Sequence, residues 1–133
     1  MGIRRKAREM ALKAAFEIDF SGSTCDDVIE NIASNQKLED DVMSFMQELL
    51  EDLKIHSADI DKIVEKHSNN WKLSRMASVD RNILRLGVLE IMYKPDIPKN
   101  VTINEYLEIA KKYGTEDSSS FINGILDKIN KAD

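Results

Sequence analysis

Five basic side chains lie within the first thirteen residues, and their charge and spacing suit them to bind phosphate groups. They are Arg4, Arg5, Lys6, Arg8 and Lys13, and Glu9 is the one acid among them. The segment therefore carries a net charge of +4, although the whole chain carries -5, so that the remaining residues carry -9. Cations at the start of a helix are disfavoured by the partial positive charge there, so we expect an external polyanion to stabilise them. A local basic strip can neutralise several phosphates even on an acidic protein.

The sequence contains no recognisable catalytic or metal-binding motif. His56 and His67 are eleven positions apart, and Cys25 is the single cysteine. The chain has no HExxH, no GxSxG and neither of the glycine-rich patterns that bind phosphates, GxxxxGK[ST] and GxGxxG. We therefore expect a protein that is not an enzyme and that needs no metal ion or cofactor.

The pattern of apolar residues indicates an all-α fold. Apolar side chains recur at three- and four-residue intervals along most of the chain, without sustained period-2 alternation, which predicts helices rather than strands. We expect about seven helices. Four are predicted over residues 4–19, 38–53, 79–93 and from Ser57 or Ala58 to residue 66. The others begin after Thr24 or Asp26, at Thr102, and near Asp117 or Ser118. The helix over residues 79–93 is apolar on more than one face and should be the central one.

Local signals indicate where several of these helices begin and end. Thr24 suits an N-cap, because its hydroxyl can accept a hydrogen bond from a free backbone N–H. The segment from Thr102 fits the capping-box pattern, so a helix is predicted to begin there. Gly22 and Gly114 follow helical segments and predict their ends. Gly124, within the last helix, predicts a close approach of another backbone.

Length and composition describe one compact domain. The chain has 133 residues, of which 42% are hydrophobic and 32% are charged. No apolar run approaches the roughly 18 to 20 residues that span a bilayer, and no signal-peptide pattern follows the basic start. A single cysteine fits a reducing compartment. We therefore expect a soluble, cytoplasmic protein.

Three further side chains allow more than one interpretation. Arg81 and Arg85 lie one turn apart on the predicted central helix. They suit a partner surface, and they equally suit internal pairing with Asp80, with Glu90 or with carbonyls at a helix end. Trp71 precedes an apolar helix, where an indole is more often a core or lid residue than a stacking platform.

Three blocks of sequence together resemble the NusB family of bacterial transcription antitermination factors. The blocks are RRKAREMALKAAF at residues 4–16, NWKLSRMASVDRNILRLGVLEIMY at 70–93, and IPKNVTINEYLEIAKKYGTEDSSSFINGILDKI at 97–129. They cover over half of the chain and occur in the family's order and spacing. The stretch from residue 20 to 68 is similar to the family only in its helical pattern.

The resemblance implies a fold of seven helices in two packed subdomains, which we place at residues 1–77 and 78–133. It further implies that the protein binds boxA-type single-stranded RNA of ribosomal RNA leaders. The family acts as a heterodimer with NusE, a small-subunit ribosomal protein, within the antitermination complex of RNA polymerase. It has no catalytic activity.

The resemblance also implies which residues form the binding sites. The implied RNA-binding residues are Arg4, Arg5, Lys6, Arg8, Asp117 and Phe121, and the implied NusE-binding residues are Phe16 and Asp80. Considered without the family, Phe16 and Phe121 fit a hydrophobic core equally well. Asp117 fits an N-cap, and Asp80 suits any helix N-terminus. Ser120 stands where the family often has a basic residue, which weakens the phosphate contact expected there.

Other classes of protein remain open from the residues alone. The chain could be a helical interaction module or a homodimer in which the basic segment pairs with an acidic face of a second copy. A NusB-like domain of the kind fused to ribosomal RNA methyltransferases is disfavoured, because the chain has no room for a catalytic domain. A helix-turn-helix DNA-binding protein is disfavoured because no basic recognition helix follows a tight turn.

Overall fold

The chain folds into α-helices joined by short turns. The computed structural model describes residues 2–69 and 71–130. Within those residues there are six α-helices and one turn of 3₁₀-helix. The α-helices are α1 (Ile3–Ser21), α2 (Cys25–Asn35), α3 (Asp40–His67), α4 (Ser78–Tyr93), α5 (Lys99–Tyr113) and α6 (Ser118–Leu126), and the 3₁₀ turn is Leu73–Arg75. The predicted all-α class is confirmed.

The difference from the expected seven helices lies in α3. Two predicted helices, one on each side of residue 55, are a single continuous helix of 28 residues. Residues 54–56, which the sequence analysis places between them, contain neither glycine nor proline. Ser57 suggested a new helix start, but serine costs only a fraction of a kcal/mol in a helix interior, roughly 0.5 kcal/mol relative to alanine.

Two of the predicted helix starts can be compared directly with the structure. Thr24 is the N-cap of α2, and its hydroxyl oxygen accepts a hydrogen bond of 3.1 Å from the backbone N–H of Asp27, as predicted. The predicted start at Thr102 is wrong, because α5 begins at Lys99 and Thr102 is buried within it. Pro98, with φ of -58°, is the N-cap, and the fixed φ of proline orders the first turn three residues earlier.

The glycines have two different roles. Gly22 ends α1 in the left-handed conformation, with φ of 74°, and its N–H donates to the carbonyl of Ile18. The close approach predicted at Gly124 is wrong, because a Cβ there would meet nothing within 4 Å. The close approach occurs at Gly87, where a Cβ would lie 2.9 Å from Cδ1 of Leu126. Glycine in the central helix therefore makes room for a leucine of α6.

The chain forms two compact units, Met1–Ile55 and His56–Asp133. The first contains α1, α2 and the start of α3. Every residue of α1 from 7 to 12 is buried, so its middle turns are covered on all sides. The buried apolar side chains of this unit include Ala7, Met10, Ala11, Leu12, Ala14, Val28, Val42, Met46 and Leu49. Several are alanines, which allow helix backbones to approach closely.

The second unit packs α4, α5 and α6 against one another. Most of α4 is buried, as expected for the central helix, including the charged residue Glu90. The hydroxyl of Tyr106 on α5 donates a hydrogen bond of 2.5 Å to the Glu90 carboxyl group. This bond links α4 to α5 inside the apolar core. The subdomain division expected near residue 77 stays a prediction.

None of the described helices is both long enough and apolar enough to cross a membrane. In the described residues there is also no group of three or more His, Cys, Asp and Glu side chains placed to hold a metal ion.

Cys25 should react slowly in the folded protein. Burial raises the pKa of its thiol, and the neighbouring Asp26 carboxylate raises it further, against a smaller opposing effect of Lys54. Because the thiolate is the nucleophile, alkylation by iodoacetamide at pH 8 is expected to be at least about tenfold slower in the native protein than in urea. The rate should still be rising above pH of about 8.5, the ordinary thiol pKa. Equal rates in the native and unfolded states would contradict this prediction.

Candidate nucleic-acid interface

The start of α1 presents a cation on an aromatic ring. Arg4 is exposed, and its guanidinium carbon lies over the ring of Phe45 on α3, 5.0 Å from the ring centroid. This distance is within the range of a cation–π interaction. An aromatic ring carries no net charge, so the positive charge of Arg4 remains available to an anion.

Arg8 lies on the same face of α1, one turn further along, but inside the protein. It is only 2% exposed, and its guanidinium carbon is 5.6 Å from the centroid of the same Phe45 ring. Arg8 is one of the phosphate-binding residues that the sequence predicts. Its burial places it behind the surface, so any effect on a bound phosphate must pass through its neighbours.

The remaining cations of the N-terminal cluster are distributed around α1. Arg5 and Lys6 are half-buried, and Lys13 is exposed. Ile3, Arg4 and Phe45 line a cleft together with Asp41, Ser44 and Glu48 of α3. The cleft therefore combines an apolar floor, one exposed cation and two carboxylates.

The far end of α1 carries an exposed aromatic pair. Phe16 is 39% exposed and Phe20 is 81% exposed, and their rings are stacked with centroids 6.1 Å apart and planes 4° from parallel. Phe16 is therefore a surface residue, as a partner-binding role requires. Sequence reasoning missed Phe20. The available signal was its spacing of four residues from Phe16, off the buried stripe of Ala7, Ala11 and Ala14.

In the second unit, Asp117 and Phe121 lie at the start of α6. Asp117 occupies the N-cap position and is exposed, but its side chain makes no capping hydrogen bond. Phe121 is half-buried and packs edge-on against Trp71, with ring centroids 6.3 Å apart. Trp71 is 55% exposed, so it is not a core residue. The two rings form an accessible aromatic surface next to Asp117.

Asp80 is engaged within the second unit. Its Oδ1 atom accepts a hydrogen bond of 2.6 Å from the hydroxyl of Ser118, which in turn accepts one of 3.0 Å from the N–H of Thr115. Asp80 thereby connects the first turn of α4 to the turn that carries Asp117. The residue is half-buried.

Gly114 ends α5 for a steric reason rather than a conformational one. The helix ends at Tyr113 as predicted, but φ of Gly114 is -95°, which any residue can adopt. A Cβ at this position would lie 2.7 Å from Cβ of Ser118 and 2.9 Å from the carbonyl oxygen of Ala110. The missing side chain gives Ser118 the space from which it reaches Asp80.

Both arginines of α4 make contacts inside their own unit. The Nε and Nη2 atoms of Arg85 donate to the two carboxylate oxygens of Asp61, at 2.9 and 3.3 Å. Arg81 donates to the carbonyl of Met76 at 3.1 Å. Of the two interpretations left open by the sequence, internal pairing is therefore the one observed, with Asp61 as a partner that periodicity did not indicate.

These features define a small all-helical protein with a cationic end on its first helix and a partly exposed aromatic pair in each unit. The sequence model of the NusB family matches residues 5–131. The chain therefore belongs to the NusB family.

Individual relatives agree with this assignment. The transcription antitermination protein NusB of Myxococcus xanthus (strain DK1622) is 43% identical over 133 residues, covering 97% of this chain and 95% of that protein. The structure of T. maritima NusB superposes with a TM-score of 0.88 at 36% identity, covering 96% of this chain and 90% of that one. A chain from the crystal structure of antitermination factors NusB and NusE in complex with dsRNA gives a TM-score of 0.89 at 28% identity. That match covers 100% of this chain and 99% of the other.

Proposed function

We propose that this protein is a cytoplasmic transcription antitermination factor that binds RNA through the cationic start of α1, and that it acts by binding, without catalysis. Its membership of the NusB family supports the proposal, as does the similarity to relatives named transcription antitermination proteins. The observation that carries it is the exposed guanidinium of Arg4, which rests on an uncharged ring and remains available to a phosphate.

Within this proposal the basic residues have unequal roles. Arg4 contacts phosphate directly, and Arg5 and Lys6 add charge beside it. Arg8 is buried, so it supports the site from inside. In the second unit, Phe121 and Trp71 supply rings on which an unpaired base can stack, and Asp117 can accept a hydrogen bond from a base edge.

The proposed protein partner is NusE, within the antitermination complex of RNA polymerase. In the first unit its proposed contacts are Phe16 and Phe20 near the end of α1. In the second unit the proposed contact is Asp80. Aromatic side chains, including Phe, are enriched at protein interfaces relative to the rest of a protein surface. The net charge of -9 outside the N-terminal segment favours a basic partner such as a ribosomal protein.

The type of RNA is part of the test. The family resemblance implies boxA-type single-stranded RNA, whereas the similar NusB–NusE complex contains dsRNA. Arg4 can contact a backbone phosphate of either kind of RNA. Single and double strands differ in the salt slope per contact, which is about 0.7 and about 0.9 respectively.

The test is an RNA titration of the wild type and of Arg4→Ala at several salt concentrations, with a boxA-type single strand and with a duplex of equal length. Loss of one phosphate contact should weaken binding several-fold and reduce the slope of log K against log salt by about 0.7 to 0.9. Lys111→Ala is the matched control. It removes one positive charge from the exposed face of α5, where Lys111 makes only a 3.7 Å ion pair with Glu108.

An unchanged slope in Arg4→Ala, or an equal change in Lys111→Ala, would show that the start of α1 is not the phosphate site. Light scattering at the lowest and highest salt concentrations tests the alternative of a homodimer held by the basic segment. A dimer of that kind dissociates as salt rises, whereas the proposed RNA-binding protein keeps the same mass without RNA.

A further inference from the structure

One aromatic ring contacts two guanidinium groups of the proposed RNA site. Arg4 and Arg8 lie one helical turn apart on α1, and both lie over the ring of Phe45, at 5.0 and 5.6 Å from its centroid. Phe45 is half-buried on α3, Arg8 is buried and Arg4 is exposed, so the ring contacts one guanidinium inside the unit and one at its surface. The three side chains form one stack that runs from the interior to the surface.

The chemistry of this contact suits a phosphate site. The same cleft is lined by Asp41 and Glu48, whose carboxylates are able to pair with an arginine. An ion pair of that kind would neutralise the arginine and compete with RNA. A ring orders the long side chain of Arg4 by attraction to its π face and leaves the net charge of the guanidinium uncompensated. Ordering a flexible side chain before binding removes part of the entropic cost of binding.

We propose that Phe45 is a positioning residue of the RNA site. Its ring, which is backed by the buried Arg8, holds the Arg4 guanidinium in place to bind a phosphate. This inference rests on the proposed function and deepens it. Phe45 itself need not touch RNA. It acts through Arg4, and the aromatic character of its side chain, rather than its volume, is what the site requires.

The experiment compares Phe45→Leu, which keeps an apolar side chain but removes the π system, with Phe45→Tyr, which keeps the ring. Phe45→Leu is expected to weaken RNA binding about threefold to tenfold, and Phe45→Tyr to bind within about twofold of the wild type. In the Arg4→Ala background, Phe45→Leu should cost much less, because the group that it positions is already absent. Additive losses would overturn the proposal.

Two controls separate positioning from general destabilisation. Val28→Ala removes buried volume from α2 of the same unit, and Val28 lines a cleft with Glu17 and Ser23, away from the cleft of Arg4. Its RNA affinity should remain that of the wild type at a temperature where all variants are folded. The Nε–H resonance of Arg4 reports the ring directly. It should be displaced by the ring current in the wild type and in Phe45→Tyr, and should return to an ordinary position in Phe45→Leu.

The outcomes distinguish this inference from the proposed function. If the wild type binds no RNA, the proposed function fails, while the resonance of Arg4 still reports whether the ring orders it. If Arg4→Ala weakens RNA binding and Phe45→Leu does not, the proposed function stands and the positioning role of Phe45 is wrong. Equal losses in Phe45→Leu and Val28→Ala would also overturn the positioning role.

Discussion

Replacing Arg8 with alanine is expected to lower the free energy of unfolding by about 2–4 kcal/mol. The side chain is 2% exposed, and its guanidinium lies against Phe45 inside the first unit. Replacing it with alanine removes the packing of its long aliphatic stem. The groups that contact its buried guanidinium also lose that contact. For a chain of this size the midpoint of thermal unfolding should fall by about 5–12 °C.

Circular dichroism melts and urea titrations measure this loss. The matched comparison is Arg4→Ala. Arg4 is also an arginine of α1 that contacts the Phe45 ring, but it lies at the exposed surface. The cost of Arg4→Ala should be below about 1 kcal/mol. If the two variants melt together, Arg8 does not have the structural role that its burial indicates.

The second large effect is expected at the buried hydrogen bond between α4 and α5. Tyr106→Phe removes the hydroxyl that donates to Glu90 and leaves a fully buried carboxyl group short of one donor. Leaving a buried polar group unsatisfied costs about 2–3 kcal/mol, more than the bond itself contributes. Urea denaturation of the purified protein measures the change.

A double-mutant cycle isolates this interaction. Glu90→Gln has nearly the same shape and keeps an acceptor for the tyrosine hydroxyl, but it carries no charge. In that background Tyr106→Phe should cost only about 1 kcal/mol, because the loss of one donor costs less at a neutral amide than at a carboxyl group that can ionise. Equal costs in the two backgrounds would place the effect in the packing of the ring rather than in the hydrogen bond.

The fold class and several helix ends follow from local patterns. Helical spacing of apolar residues predicts the all-α fold, and Thr24 and Gly22 act within one turn of their own positions. The continuity of α3 was harder to predict. Ser57 is compatible with both a helix start and a helix interior, and packing along the rest of the helix decides between them. At α5, proline determined the start although a capping-box pattern followed it.

The site was less predictable than the fold, because its features depend on tertiary contacts. Phosphate-binding residue types at the start of α1 are visible in the sequence. The burial of Arg8 is not, since charged residues are rarely fully buried. Phe45 lies 41 positions from Arg4, and no local pattern connects them. For the same reason periodicity did not indicate the pairing of Arg85 with Asp61.

The complete enclosure of the middle of α1 has a mechanical consequence. Residues 7–12 are covered on every side, so this helix cannot rotate or slide without breaking the core of its unit. Arg4 and Phe16 lie on either side of this buried segment, twelve residues or roughly 18 Å apart along the helix axis. The helix thus fixes the distance between the proposed RNA contact at Arg4 and the proposed protein contact at Phe16.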